Sequence, residues 1–199
     1  MNLLALHNAK TGKFSDKWES YLVHYDRLFT PFRNQSISIA EIGVQNGGSL
    51  ETWAEYFPKA QRIVGVDIDD RCAELRFDDP RIELHIQDGK VPVAGEYDIV
   101  IEDGSHTAED IVAQFKAWFP LVKTGGIYIC EDLHTMWMGG HYNTGAQHFF
   151  AGLIEDVNRE FSNNGYDIAS MEFRNSLVII HKGPAQLGER LMRGSIKIL

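Results

Sequence analysis

Two similar stretches hold the residues best equipped for chemistry: Ile99-Val-Ile-Glu-Asp-Gly-Ser-His106 and Ile127-Tyr-Ile-Cys-Glu-Asp-Leu-His134. Each is a β-rich apolar run that stops at acidic residues and then a histidine. Parallel strands ending side by side would bring Asp103, Glu131, Asp132 and His106 to one rim of a sheet, and ligands of open α/β sheets bind at that carboxyl-terminal rim. Three carboxylates and an imidazole suit a hard divalent cation beside a proton acceptor. Polar strand ends facing water are the plainer reading, and one such end would mean little. Two of them downstream of a glycine-rich turn favour chemistry. His106 is the candidate base; as a loop residue before a helix capped by Ser105, it could instead be structural. His134 could share the metal or base role or only hold its loop. His141 and His148 are weaker candidates.

The elements that must position these groups alternate. Ser38 to Ile42 reads as a first strand, followed by Gly43-Val-Gln-Asn-Gly-Gly-Ser49 and a helix through about Tyr56. Glycines there let backbone approach a ligand, and the helix start offers free amide donors. Arg62 to Val66 ends at Asp67, a helix lies around 70–76, and Ile82 to Ile86 ends at Gln87-Asp88. Tyr97 to Ile101 and Ile127 to Cys130 are strands four and five. Between them, Ile111, Val112, Phe115, Trp118 and Phe119 recur at helical spacing over 108–119, and Lys123-Thr-Gly-Gly126 closes that helix. After a helix near 146–161, Tyr166 to Phe173 and Leu177 to Lys182 flank a short connection, which implies an antiparallel hairpin. Such alternation predicts an α/β fold, a Rossmann-like, seven-stranded, mostly parallel sheet with helices on both faces and a C-terminal antiparallel β-hairpin.

Upstream, Phe14, Trp18, Tyr21, Leu22, Tyr25, Leu28 and Phe29 suit one face of a helix over 14–30, ended by Pro31. Such a stripe packs on a core or roofs a site with His24 or Tyr25 turned inward. The organisation expected is a helical cap over 1–36, a main domain over 37–185 and a tail over 186–199, within one domain overall. The tail's Leu187, Leu191, Met192, Ile196 and Ile198 could join a homo-oligomer contact or pack back.

The chain of 199 residues is 44% hydrophobic and 24% charged, ordinary values for a globular protein. A net charge of −9 argues against nucleic acid or an anionic membrane as partner. Cys72 and Cys130 form no framework, which points to a reducing compartment. The apolar patch Leu3 to Leu6 lacks the basic start of a signal peptide, and no run reaches the ~20 apolar residues of a spanning helix. A cytoplasmic protein acting on a small polar molecule is expected.

The order of motifs over about 37–182 resembles the class I S-adenosylmethionine-dependent methyltransferases. Glu41-Ile-Gly43-Val-Gln-Asn-Gly47-Gly48-Ser49 is similar to their first motif, with Gln45 in place of a frequent glycine. The resemblance implies S-adenosylmethionine contacts at Glu41, Gly43, Ser49, Asp67, Gln87, Asp88 and Asp103, with Asp67 on the ribose hydroxyls and Asp88 on the adenine amino group. Each aspartate alone could equally be a helix cap. Glu102-Asp-Gly-Ser-His106 with Glu131-Asp132-Leu-His134-Thr135 further resembles the metal-dependent macrolide sugar O-methyltransferases of the macrocin and mycinamicin kind. By that resemblance Asp103, Glu131 and Asp132 hold Mg2+ and His106 is the general base. Those enzymes are longer, with an amino-terminal domain whose substrate contacts do not carry over.

The function this implies is O-methyl transfer to a hydroxyl of a sugar or glycosylated natural product. A catechol or other small acceptor, or a cofactor-binding scaffold without turnover, is the alternative. The segment Met136-Trp-Met-Gly-Gly-His-Tyr-Asn-Thr144 reads as a substrate flap or an ordinary loop, and its Trp137 and Tyr142 could stack on a sugar or an aromatic ring.

Overall fold

The computed structural model describes residues 1–140, 142–158 and 166–184. Its seven-stranded sheet runs β3-β2-β1-β4-β5-β7-β6. Strands β1 (Ser38–Ile42), β2 (Arg62–Asp67), β3 (Ile82–Ile86), β4 (Tyr97–Glu102) and β5 (Val122–Cys130) are mutually parallel, whereas β7 (Leu177–Lys182) pairs antiparallel with β5 and β6 (Ile168–Arg174). The strand order reverses between β1 and β4, so the loops after these strands diverge and leave a crevice at their carboxyl ends.

Strand residues alternate between two apolar layers. Ile39, Ile63, Ile99, Ile101, Ile127 and Ile129 pack under α1 (Leu3–Ala9), α2 (Glu19–Phe29) and α3 (Gly48–Tyr56). Ala40, Val64, Val100 and Tyr128 face α4 (Ala108–Trp118) and α5 (Gly145–Asn158). Asp26 ties the first layer together. Its Oδ1 accepts from the Leu3 amide at 2.8 Å and from the Tyr56 hydroxyl at 2.9 Å, joining α1, α2 and α3.

The structure corrects the reading of the local chain at several points. The stripe over 14–30 is not one helix: α2 starts at Glu19, and residues 10–18 form an extended strap. Tertiary contacts decide this, because the Phe14 carbonyl lies against Gly48 so closely that a Cβ there would overlap it. Lys123 to Gly126 belong to β5, where a register shift against β4 and the positive φ of Gly125 mark a bulge. Residues 70–74 wind as a 3₁₀ turn rather than an α-helix. Helix α1, capped by Asn2, is too short to show a period in sequence. Thr107, not Ser105, caps α4. His141 and the tail residues Leu187, Leu191, Met192, Ile196 and Ile198 lie outside the described residues.

Candidate active site

The carboxyl ends of β1, β2, β4 and β5 open into a cavity of about 950 Å³, large enough for a nucleoside-sized ligand with its partner. Gly43 makes its floor. With φ +93°, in the left-handed region that favours glycine, it brings the first turn so near β4 that a Cβ would overlap the Asp103 carbonyl. The bare backbone beside Ser49 at the start of α3 is what a polar ligand approaching a helix amino terminus requires.

On the β4–β5 side, Asp103, His106 and Asp132 each present a ligand atom within 4.8 Å of the others. His106 Nε2 lies 3.8 Å from Asp132 Oδ2, and His134 Nδ1 lies 3.8 Å from Asp132 Oδ1. Both His106 (φ 57°) and Asp132 (φ 56°) sit in the left-handed region. Holding non-glycine residues there costs on the order of 1–3 kcal/mol each, a cost that recurs at functional sites. The hairpin maintains the arrangement: Ser176, in the β6–β7 turn, accepts from the Leu133 amide through its carbonyl at 3.1 Å. Its Oγ accepts from the His134 amide at 3.0 Å and stands 2.6 Å from His134 Nδ1. Tyr21 donates its hydroxyl to Asp132 Oδ1 at 2.8 Å.

Glu131 is held elsewhere. It is buried and accepts from Tyr25 at 2.6 Å and from Lys17 Nζ at 2.8 Å. Lys17, itself 3% exposed, also reaches Asp103 Oδ2 at 2.5 Å and Glu41 Oε1 at 3.1 Å. Burial opposes its charge, but Asp103, Glu131 and Glu41 overcome that and keep the ammonium firmly protonated. Burial, then the charge of Asp103, pushes the Glu131 carboxyl up, while Lys17 and Tyr25 pull it back. Asp103 and Asp132 thus meet around His106, while Glu131, which lines the same cavity, is tied to Asp103 through Lys17.

Gly43, Ser49, Asp67, Asp88 and Asp103 line the cavity. Asp67 Oδ2 accepts the amides of Val44 (2.8 Å) and Gln45 (3.0 Å), and Asp88 Oδ1 accepts that of Lys90 at 2.9 Å. Both aspartates thus brace loops at the cavity edge. Glu41 lies behind Lys17, taking the Trp53 indole N–H at 2.9 Å, and the Gln87 amide turns to the Val91 carbonyl at 2.6 Å. Neither of these two residues lines the cavity. Of the stripe residues, Tyr25 turns inward. His24 lies on the other side, near Arg174, Arg27 and Glu172. Trp137 is 71% exposed, and neither it nor Tyr142 lines the cavity. His148 is an exposed α5 residue.

Residues 40–133 match a family described as a methyltransferase domain. A 8-demethyl-8-alpha-L-rhamnosyl tetracenomycin-C 2'-O-methyltransferase of Streptomyces olivaceus is 37% identical over 61% of this chain and 35% of its own length. The mycinamicin VI 2''-O-methyltransferase of Micromonospora griseorubida is 39% identical over 59% of this chain and 32% of its own. The solved MycE methyltransferase of the mycinamycin pathway, in complex with Mg, SAH and mycinamycin VI, is 28% identical. It covers 94% of this chain and 55% of that one at a TM-score of 0.77. Over residues 40–133 the chain is similar to known methyltransferases. It spans about a third to a half of the length of the curated relatives it matches. Among the described residues, no helix is long and apolar enough to cross a membrane.

Lys17 and Ser176 are the site residues that sequence reasoning missed. Lys17 is one lysine in a polar stretch, and its carboxylate partners lie 86 and 114 residues away for Asp103 and Glu131. Ser176 reads as an ordinary hairpin turn. Trp18 was legible only as part of a stripe that packs on a core or roofs a site, and it is 60% exposed at the cavity.

Proposed function

We propose that this chain is an S-adenosylmethionine-dependent O-methyltransferase whose acceptor is a hydroxyl of a sugar or glycosylated natural product, with Asp103 and Asp132 holding a divalent cation. The observation that carries the reading is the meeting of Asp103, His106 and Asp132 inside the cavity that the first-motif glycine turn floors. The donor set fits Mg2+, which favours carboxylate oxygens and binds with few protein ligands. The glycine floor fits a cofactor whose backbone contacts must be close. The relatives named above supply the substrate class and the Mg and SAH pairing.

A bound divalent cation would polarise the acceptor hydroxyl and ease loss of its proton. The residues do the rest. Asp103 and Asp132 fix where that oxygen stands, and holding it in line with the methyl donor is itself a large part of rate enhancement. His106 Nε2 faces the same point and takes the proton, a role worth roughly 10²–10⁴-fold. Lys17 places one positive charge among Glu41, Asp103 and Glu131 and offsets part of their mutual repulsion. Gly43, Ser49, Asp67 and Asp88 border the nucleoside space, with Glu41 and Gln87 supporting it from behind.

One observation favours a second assignment of the base. His134 Nδ1 stands 2.6 Å from Ser176 Oγ, and when the ring donates its proton there, Nε2 is left as an acceptor at the site. His106→Ala and His134→Ala separate the two roles: the base variant loses kcat at least about 100-fold while Mn2+ affinity holds. A ligand variant loses Mn2+ affinity instead. The function itself is tested by incubating S-adenosylmethionine with panels of glycosides and of phenols. Glycoside methylation that EDTA abolishes and Mg2+ restores is expected. Methylation undiminished in EDTA, or restricted to phenols, would contradict the reading.

A further inference from the structure

We propose that Trp18 is the platform on which the acceptor's pyranose ring lies, presented at the cavity mouth by the strap over 10–18. This rests on the reading of Asp103, His106 and Asp132 as the reacting centre. Trp18 is 60% exposed at a cavity wall, although its backbone and the side chain of Lys17 before it are anchored. Lys17 is fixed inward by its three carboxylates. The Trp18 carbonyl accepts the amides of Tyr21 at 3.0 Å and Leu22 at 3.3 Å, starting α2. The backbone is therefore set, and only the indole projects.

It projects to the reacting side. The indole stands edge-on to the His134 ring, with centroids 6.1 Å apart and planes at 86°, and His134 is in turn 3.8 Å from Asp132. Trp18, Asp16, Ser105, Asp132 and His134 line the same cavity. One flat apolar face ringed by carboxylates, a hydroxyl and an imidazole matches a pyranose, which offers a C–H face to the indole and hydroxyls to the polar rim. A ligand hydroxyl at Asp132 would put the rest of its ring against Trp18. Trp137, the other exposed tryptophan, does not line the cavity.

The test uses the full chain with SAH and Mg2+ and follows tryptophan fluorescence while methyl α-L-rhamnopyranoside or 3,4-dihydroxybenzoate is added. Trp53 and Trp118 are buried, and the exposed Trp137 is removed by working in a Trp137→Phe background, so a ligand-induced change should come from Trp18. That background should respond to the glycoside, and Trp18→Phe within it should not. Trp18→Ala should raise the glycoside KM about tenfold, with kcat changing less and the SAH dissociation constant staying within twofold. No response in that background, a response surviving in Trp18→Phe, an unchanged KM in Trp18→Ala, or a response to the catechol alone would each overturn the platform. If the response vanishes in Trp18→Phe but no glycoside is methylated, the platform stands and the reaction assigned to the chain fails.

Discussion

Lys17 shows how one side chain can decide whether a site exists. Its ammonium is the counter-charge to Glu41, Asp103 and Glu131, and two of these carboxylates are as buried as the lysine itself. Removing one partner of a buried ionic cluster leaves charge without compensation, at a cost of about 3–5 kcal/mol. Lys17→Met is therefore expected to lower the melting temperature by about 6–20 °C, at roughly 2–4 °C per kcal/mol for a chain of this size. A calorimetric shift of less than about 2 °C would mean that the carboxylates find other partners. Glu102 makes a second case. Burial raises its carboxyl to about 7, although the Cys130 thiol and the Gly104 amide donate to it and pull the other way. A carboxyl raised on folding contributes stability that is full below the unfolded value of 4.5 and is lost as pH rises through about 7. Thermal denaturation between pH 5 and pH 8 should thus show a falling melting temperature, flatter in Glu102→Gln. An identical slope in both proteins would remove Glu102 as the cause.

At the scale of elements, the strap and the hairpin do what the parallel sheet cannot. The sheet delivers Asp103 and Asp132 to one rim, while the strap brings Lys17 and Trp18 and the hairpin tip brings Ser176. Glu51 on α3 latches the strap, accepting from Lys10 Nζ at 2.7 Å and from the Lys13 amide and Nζ at 2.8 and 2.9 Å. Burial works against its charge, but these lysine contacts outweigh burial and lower the carboxyl to about 2. A carboxyl lowered on folding contributes stability that is present above its unfolded value of 4.5 and lost as pH falls toward about 2. Hydrogen exchange of amides over 10–18 should therefore accelerate, relative to intrinsic rates, as pH drops from 5 to 3. Glu51→Gln should show the acceleration already at neutral pH. Protection that does not respond to either change would mean that the latch lies elsewhere. The strands and α4 were legible because apolar period and turn glycines declare them locally. The strap was not: its Phe14 and Trp18 continue the helical stripe of α2, and only contacts with Gly48 and with distant carboxylates draw it straight. The same limit hid the partners of the acidic set, since sequence places Glu131 beside Asp132 but cannot say that Tyr25 and Lys17 hold it.

For the whole molecule, a net charge of −9 and a cavity with carboxylates in its wall accord with the divalent cation and small polar acceptor proposed above. The doubly covered sheet keeps the cavity floor rigid, and the strand reversal between β1 and β4 opens the crevice where the glycine turn and the acidic cluster meet. Gly43 joins the two halves, because its missing Cβ is what lets the first turn lie against the Asp103 carbonyl. Gly43→Ala should weaken SAH binding at least about tenfold by calorimetry, through strain at a positive φ and displacement of Asp103. Unchanged binding would place the nucleoside away from this turn. The most direct measurement is a co-crystal structure with SAH and Mn2+, the ion located by its anomalous signal. A single manganese bound by Asp103 and Asp132, in one cavity with the SAH sulfur and beside His106, is the predicted result. Manganese absent from between those carboxylates, or separated from the nucleoside by packed core, would contradict it.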